Sequence, residues 1–402
     1  MQRSIVVLAA LALTLVVAAC GGSSSDSSGG GSSSAPKTDK PIVIGAAIAK
    51  TGTFSQYDIP AYNFFKLKVD ELNAAGGIKG RKIELVEADA RSDPAQAKVA
   101  AQRVLGEGAE IVLALCDFDF GSPAALAADQ AGKVSFALCA QSPKWGVQGI
   151  GPLSYTPSIA TFAEGSVMAK FAEQKGLDNG FILTDDTITY DREQCDGFRQ
   201  SFKGKVAGED TFKNGDSSIA SQITKIKQAN PGFLVLCSYP PGGPTALRQI
   251  RAAGIDIPIV SEGAMEGTYW TKSVPKIGEL YVTSPVSVMG DDPNPKVNDL
   301  VKKYTETYGA APPVGLSIAG YAIGEVLEKA LTMTNGDTDG KKLAAALDTF
   351  KNVPSLAGDM TFTPELHINK DREMAVLQYV DNKPKHVTQI RSDPSVQLRM
   401  SK

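Results

Sequence analysis

The sequence predicts an α/β protein built from two similar lobes. Apolar runs typical of buried strands alternate with helix-like segments through most of the chain, and the pattern restarts near residue 159. Strands that are apolar on both faces and separated by helices are typical of a parallel sheet covered on each side. With 402 residues, of which 43% are hydrophobic and 21% charged, the chain is long enough to bury two such cores.

The first series of elements runs from residue 41 to residue 139. Pro60 suits the first turn of a helix and Gly76-Gly77 suits its end, while Asp93 and Pro94 are a typical cap and first residue for the next helix. Strands are predicted over 41–49, 82–90, 110–116 and 134–139, and helices over 60–75, 93–108 and 123–132. This order indicates the first lobe.

The second series predicts the second lobe and a C-terminal hairpin. Helices are expected over 159–175, 192–204, 217–229 and 244–254, with strands over 180–186, 208–212, 232–238 and 257–263. A strand over 280–286 is followed by helices over 294–308, 314–333 and 340–350, and the segments 360–364 and 375–383 are typical of a β-hairpin. A chain that crosses between the lobes more than once is consistent with this order.

Residues 1–20 are predicted to be an export signal. Arg3 precedes an apolar run from residue 5 to residue 17, which is short for a membrane-spanning helix of about 20 residues. Cys20 directly follows small residues, which resembles a bacterial lipobox whose cysteine is acylated. Residues 21–39 begin with an almost pure Gly and Ser stretch, so they predict a flexible tether. We expect a lipid-anchored extracytoplasmic protein. An ordinary signal peptide with a chance cysteine is the alternative.

The four cysteines beyond the tether form an even set, which favours disulfides in an oxidising compartment. Cys116 and Cys139 end successive strand-like runs, Cys195 opens a helix-like stretch, and Cys237 ends another strand-like run. If neighbouring runs are adjacent parallel strands, the pairs Cys116–Cys139 and Cys195–Cys237 come within bridging distance. Three pairings are possible, and the separation into lobes favours this one. Buried free thiols are the alternative.

The sequence contains no catalytic or metal-binding motif that we recognise. It has no GxSxG elbow, no phosphate loop ending in GK[ST], no HExxH motif and no spaced Cys or His set. His367 and His386 lie in polar C-terminal sequence and are expected on the surface. The net charge of −3 and the lack of a basic stripe argue against nucleic acid as a partner. We therefore expect a binding protein without cofactor or metal ion.

Several motifs resemble the leucine/isoleucine/valine-binding type of solute-binding protein, which supplies ligand to ABC importers. The matching residues are Thr51-Gly52 with Tyr57, Asn73 with Gly76-Gly77-Ile78, Asp89 with Asp93-Pro94, and the stretch 251–263. The resemblance covers about residues 41–385. It implies a type I periplasmic-binding fold, in which two doubly wound lobes joined by three crossovers close on a ligand at the carboxyl ends of their strands. Open α/β sheets bind ligands at such strand ends.

The resemblance also implies domain limits and a role. Lobe 1 is expected to comprise 40–157 plus 286–360, lobe 2 to comprise 158–285 plus 361–390, and the C-terminal tail to comprise 391–402. The expected protein is a monomer that delivers a small amphipathic solute, first of all a branched-chain or other amino acid, to an ABC permease. A sensor of the same fold for amides or small aromatic acids is the alternative.

Ligand contacts follow from the same resemblance. Ala140 and Ser142 match the loop whose amides and hydroxyl hold the ligand carboxylate, and Glu262 matches the carboxylate that pairs with the ligand's ammonium group. The aromatic rings expected around the ligand are Tyr57, Tyr190 and Tyr239. Such a set suits a zwitterion in a dry site.

Asp117 departs from the family pattern, which has a serine there in the amino-acid binders. A carboxylate beside a bound carboxylate costs several kcal/mol if both stay charged and buried. Either Ser122 takes the role of that serine, or the ligand is not an ordinary amino acid. With Phe118 and Phe120 beside it, Asp117 leaves amides, small aromatic acids and cationic solutes open as ligands.

Overall fold

The computed structural model of the chain describes residues 40–399. The predicted export signal, Cys20, the tether and the last three residues therefore lie outside the described residues. Two sheets, each carrying helices on both faces, form a first and a second lobe. Apolar clusters lie on either side of each sheet. The predicted α/β class with two parallel-sheet lobes is confirmed.

The first lobe is built on a five-stranded sheet whose neighbouring strands are all parallel. Its strands are β1 (Ile42–Ile48), β2 (Ile83–Asp89), β3 (Ile111–Ala114), β4 (Val134–Ala137) and β5 (Ser154–Tyr155), in the order β2-β1-β3-β4-β5. The connecting helices are α1 (Ser55–Ala74), α2 (Pro94–Gly106) and α3 (Phe118–Gln130). As predicted, Asp93 caps α2, because its carboxylate accepts the N–H of Gln96 at 2.8 Å.

The second lobe follows with four helices and a larger sheet. The helices are α4 (Thr161–Gln174), α5 (Thr189–Ser201), α6 (Ala220–Ala229) and α7 (Gly242–Ala252). The strands are β6 (Asn179–Asp185), β7 (Lys205–Phe212), β8 (Phe233–Cys237), β9 (Ile259–Ser261), β10 (Leu280–Ser284), β11 (Glu373–Val380) and β12 (Lys383–Arg391), in the order β12-β11-β10-β9-β8-β6-β7. Strands β11 and β12 form an antiparallel hairpin, in which residues 383–391 take the place of the predicted segment 360–364.

The chain passes between the two sheets three times. It enters the second lobe after β5, returns to the first after β10, and leaves again before β11. The returning helices are α8 (Pro295–Tyr308), α9 (Ala319–Met333) and α10 (Gly340–Leu347), which share an apolar cluster with α1 and the first sheet. Within residues 40–399, no helix is long and apolar enough to cross a membrane.

Several elements differ from their predicted bounds, among them α3, which was predicted over 123–132 and begins at Phe118. Helix α1 begins at Ser55, so Pro60 lies inside it and not in its first turn. In its first turn, the Asp58 carboxylate accepts the N–H groups of Ala49 at 2.7 Å and Cys116 at 2.9 Å. Helix α5 already begins at Thr189, which puts Cys195 in its middle. The segment 360–364 is not a strand, because it forms only isolated bridges.

His367 is buried, contrary to the expectation of a surface residue, with 2% of its surface exposed. Its ring stacks on Tyr155 with centroids 4.0 Å apart, and its Nδ1 donates to the carbonyl oxygen of Ser154 at 2.9 Å. The stacking partner belongs to β5, far away in sequence, so local polarity gave no sign of it. His386 is half-buried on β12.

Both predicted disulfides are present. Cys116–Cys139 joins the segments that follow β3 and β4, and Cys195–Cys237 joins α5 to the end of β8. The pairing predicted from neighbouring strands is therefore confirmed. The first bond lies at the edge of the first sheet that faces the second lobe, where the candidate site is found.

Candidate ligand site between the lobes

A small cavity lies where the carboxyl ends of the strands of the two sheets face each other. Its walls are formed by residues of the first lobe (Phe54, Tyr57, Cys116, Asp117, Cys139 and Leu316) and of the second lobe (Ile188, Tyr190, Tyr239 and Ala264). The cavity volume is about 30 Å³, which is room for roughly one water molecule. A solute as large as an amino acid therefore needs the lobes to separate before it enters.

Four aromatic rings, those of Phe54, Tyr57, Tyr190 and Tyr239, line the cavity. Phe54 packs against Phe120 with ring centroids 4.6 Å apart and stacks on Tyr239 at 5.9 Å. Tyr57 joins the two lobes, because its hydroxyl donates to the carbonyl oxygen of Ala264 at 3.0 Å. The predicted residues Tyr57, Tyr190 and Tyr239 thus lie around one space, whereas the contribution of Phe54 was not foreseen.

Asp117 lies at the wall and caps α3. Its carboxylate accepts the N–H of Phe120 at 3.1 Å. Burial, and next the charge of Asp119, raise the pKa of Asp117 to about 7. Ser122, the alternative to Asp117, lies within α3 and does not line the cavity.

The predicted carboxylate loop already contacts an acid of the other lobe. Ala140 and Ser142 are buried beside the cavity and do not line it. The Ser142 hydroxyl donates to Glu193 Oε1 at 3.1 Å, and Thr161 Oγ1 donates to Glu193 Oε2 at 2.8 Å. Burial raises the pKa of Glu193, a residue of α5, to about 7. The sequence prediction did not include Glu193.

A further contact between the lobes, which we call the latch, consists of Asp119 and Thr189. The Asp119 carboxylate accepts the backbone N–H of Thr189 at 2.6 Å and its hydroxyl at 2.8 Å. Thr189 begins α5, and the positive end of the helix dipole favours a carboxylate there. The latch therefore joins the first turn of α3 to the first turn of α5.

Glu262 follows β9 and lies against Asp191, the third residue of α5, and we call these two the acid pair. Both side chains are fully buried, and no described residue outside the pair donates a hydrogen bond to any of their four oxygens. Within the pair, the carboxyl group of Glu262 donates to Asp191 when it is protonated. Burial raises the pKa of both groups well above the ordinary range, and the negative charge of Asp191 raises that of Glu262 further. Asp191 was not predicted.

Other buried acids of the same region have donors. Glu164 accepts Gly263 N–H at 3.1 Å, Thr283 Oγ1 at 2.5 Å and Gln194 Nε2 at 2.7 Å. Glu266 accepts the Gly315 N–H at 2.7 Å and the Ser284 hydroxyl at 2.8 Å. The acid pair is thus distinguished by its lack of donors and not by burial alone.

The basic side chains that are buried in the described part of the chain lie elsewhere. They are Arg81, Arg251 and Arg372, and each donates to backbone carbonyls. Arg81 bonds near the start of β1 and at Gly336, and Arg251 bonds between residues 255 and 279. Arg372 bonds to the carbonyl of Pro157. Arg192 follows Asp191, but its guanidinium bonds to Asp186 and to the Thr189 hydroxyl. Residues 40–399 also contain no His, Cys, Asp and Glu cluster suited to a metal ion.

The protein has two lobes with a cavity at the ends of their strands, and hydrogen bonds join the lobes across that cavity. These features are typical of a protein that encloses a small solute. A family model described as a periplasmic binding protein matches residues 41–384, so the chain belongs to that family. It is an extracytoplasmic solute-binding protein and not an enzyme.

Curated relatives agree with this assignment. The Leu/Ile/Val-binding protein BraC3 of Rhizobium johnstonii is 23% identical over 333 residues, which cover 82% of this chain and 89% of the relative. A leucine-, isoleucine-, valine-, threonine- and alanine-binding protein of Pseudomonas aeruginosa is 24% identical, with coverages of 76% and 82%. The resemblance to Leu/Ile/Val-binding proteins that the sequence motifs suggested is therefore confirmed.

Solved structures show the same fold. The substrate-binding protein LivJ of Streptococcus pneumoniae, in complex with isoleucine, has a TM-score of 0.76 at 21% identity, covering 87% of this chain and 99% of its own. A solute-binding protein of an ABC transporter from R. palustris, in complex with benzoate, has a TM-score of 0.68 at 19% identity, with coverages of 87% and 96%.

Proposed function

We propose that this protein is the lipid-anchored receptor of an ABC importer, which closes its two lobes on a small amphipathic solute bearing an ammonium group. Amino acids are the first candidates, since the relatives bind branched-chain amino acids by name. The observation that carries the proposal is Glu262, a fully buried carboxylate without a donor beside the cavity between the lobes. An ammonium group would supply the missing donors.

The remaining predicted contacts complete the proposal. Tyr57, Tyr190 and Tyr239 would pack around the apolar part of the solute, with Asp117 beside them at the cavity wall. The backbone N–H groups of Ala140 and Ser142 would bind an anionic end, if the solute has one. We propose lobes of 40–157 plus 286–360 and 158–285 plus 361–390, with a tail from 391, in a monomer that delivers its solute to a membrane permease.

Isothermal titration of the full-length protein with amino acids and with benzoate tests the site. Glu262→Gln should weaken every ammonium-bearing ligand at least tenfold and leave benzoate unaffected. Asp256→Asn is the matched control, because this acid lies on the surface of the same lobe and pairs with Lys276. If Glu262→Gln weakens no ligand that carries an ammonium group, Glu262 is not part of the site.

The membrane anchor needs a separate test, since Cys20 lies outside the described residues. Cys20→Ser should move the protein from the membrane to the soluble extracytoplasmic fraction, whereas Ser23→Ala in the tether should leave it at the membrane. Tight membrane association of the Cys20→Ser variant would refute acylation at that residue.

A sensor for amides or small aromatic acids is the second candidate. The aromatic wall of Phe54, Tyr57 and Tyr239 favours a planar ligand. A solute-binding protein of the same fold, from Rhodopseudomonas palustris, is known in complex with 3,4-dihydroxybenzoic acid. Uptake of labelled solute by cells that lack the protein separates the two roles, because only loss of an importer's receptor abolishes uptake.

A further inference from the structure

We infer that the solute carries a net positive charge and that Asp191 is the second carboxylate that binds it. The acid pair, Asp191 and Glu262, would then bind amine or guanidinium groups of a basic amino acid or a diamine, in preference to a neutral zwitterion. This inference rests on the proposed function, since it names the chemical class of the solute.

The first step is the state of the acid pair itself. Both carboxyl groups are fully buried, and no described residue outside the pair donates to any of their four oxygens. A buried carboxylate without donors is strongly unfavourable, and native proteins seldom keep such a group without a functional reason. Glu164 and Glu266 lie in the same region and have two or three donors each. The acid pair is therefore built to accept donors from a bound molecule.

The nearby basic side chains do not supply a positive charge that compensates the acid pair. Arg192 is the basic residue whose charge acts on Asp191, but its guanidinium bonds to Asp186 and Thr189. Lys144 acts on Glu193 and lies over the ring of Phe118. Because no described metal-ligand cluster exists here, an organic cation is the charge that fits.

The acid pair has two carboxyl groups, so the number of positive charges on the solute matters. A single ammonium group balances one negative charge, so the other carboxyl group of the acid pair has to keep its proton. A guanidinium group or a second amine reaches both carboxylates with separate donors. Three acids lie near the loop where the resemblance places the ligand carboxylate: Asp117 and Asp119 of the first lobe, and Glu193 of the second lobe, which accepts the Ser142 hydroxyl. An anionic end is disfavoured beside these three acids.

The cavity wall also suits a cation. Tyr57, Tyr190 and Tyr239 line the cavity, and the charge of Asp191 acts on all three. Aromatic faces attract ammonium and guanidinium groups, the more so when water is excluded. Rings and carboxylates together form a site for an amine with an alkyl chain.

The test is a titration of the full-length protein with lysine, arginine, putrescine, leucine and benzoate. Lysine, arginine or putrescine should bind at least tenfold more tightly than leucine. Asp191→Asn should weaken the cationic ligands at least tenfold more than it weakens leucine. Asp196→Asn is the control, because this acid lies on the same helix, is half exposed and pairs with Arg199.

Leucine binding more tightly than every cationic ligand would overturn the inference and leave the proposed function standing. Unchanged cation affinity in the Asp191→Asn variant would also overturn it. Binding of none of the five ligands would contradict both. If the variant does not fold, the ranking of the ligands on the unmodified protein decides by itself.

Discussion

The latch formed by Asp119 and Thr189 should set how strongly every ligand is held. Its two hydrogen bonds join α3 of the first lobe to α5 of the second, at 2.6 and 2.8 Å. Bonds to a charged acceptor contribute about 1.5–3 kcal/mol each, and we take about 2 kcal/mol for both because Asp119 is half-buried. Asp119→Ala should therefore raise the Kd about 30-fold.

The latch differs from the binding site in that its effect should not depend on ligand chemistry. Isothermal titration should show a similar loss for each ligand that binds, and small-angle scattering should show a larger radius of gyration for Asp119→Ala without ligand. Thr189→Val removes only the hydroxyl donor, so it should weaken the Kd about fivefold, or about 1 kcal/mol. The double variant should be no worse than Asp119→Ala, because both changes break the same contact.

Gln130→Ala is the control for the latch, since this residue is exposed at the far end of α3. A Kd of Asp119→Ala within threefold of the unmodified protein would show that the latch does not stabilise the closed state. A loss confined to one class of ligand would place Asp119 in the binding site itself.

Three further predictions concern stability. The unliganded protein should melt at a lower temperature at pH 8 than at pH 5.5, because the folded state keeps protons on Asp117 and Glu193, with pKa values of about 7, that the unfolded chain has already lost. A constant or rising melting temperature would contradict this. Gly320→Ala should lower the free energy of unfolding in denaturant by about 1–3 kcal/mol or more, because its Cβ would lie 1.8 Å from the Ala61 carbonyl oxygen. Gly106→Ala is the control, since its Cβ would meet nothing within 4 Å and should not destabilise the fold. Reduction of the two disulfides should lower the melting temperature, because the bonds close loops of 23 and 42 residues and each contributes about 3–4 kcal/mol. An unchanged melting temperature would mean that the bonds do not stabilise the fold.

The order of helices and strands was predictable because it follows from local chemistry. Apolar runs mark the strands of both sheets, and Asp93 with Pro94 marks the start of α2 as the structure has it. The disulfide pairs were also predictable, since adjacent parallel strands bring their ends together. The start of α1 was not predicted, because Pro60 suggested a later first turn. That turn contains Asp58, whose carboxylate accepts N–H groups of Ala49 and Cys116, and Cys116 is remote in sequence.

The candidate site was predictable only in part. The motifs pointed to Glu262 and to the three tyrosines, which the structure brings together around or beside one cavity. Asp191 and Asp119 were missed, because an acid in the first turn of a helix is usually a solvated or capping residue. The role of Asp191 and of Asp119 depends on which residue of a neighbouring element faces each of them in the folded protein. A useful local signal was the acid-rich opening of α5, which holds Asp191 and Glu193 within five residues.

The latch and the acid pair act in opposite directions on closure. The latch, together with the bond from Tyr57 to Ala264, stabilises the closed lobes whether or not a solute is present. The acid pair opposes closure without a solute, because closing removes two adjacent carboxyl groups from water, and they stay buried only by holding protons. A cation that enters between the lobes replaces those protons and removes the penalty. A ligand shifts an equilibrium only by its difference in affinity for the two states. The acid pair supplies that difference, so a receptor with the latch alone would close without its solute.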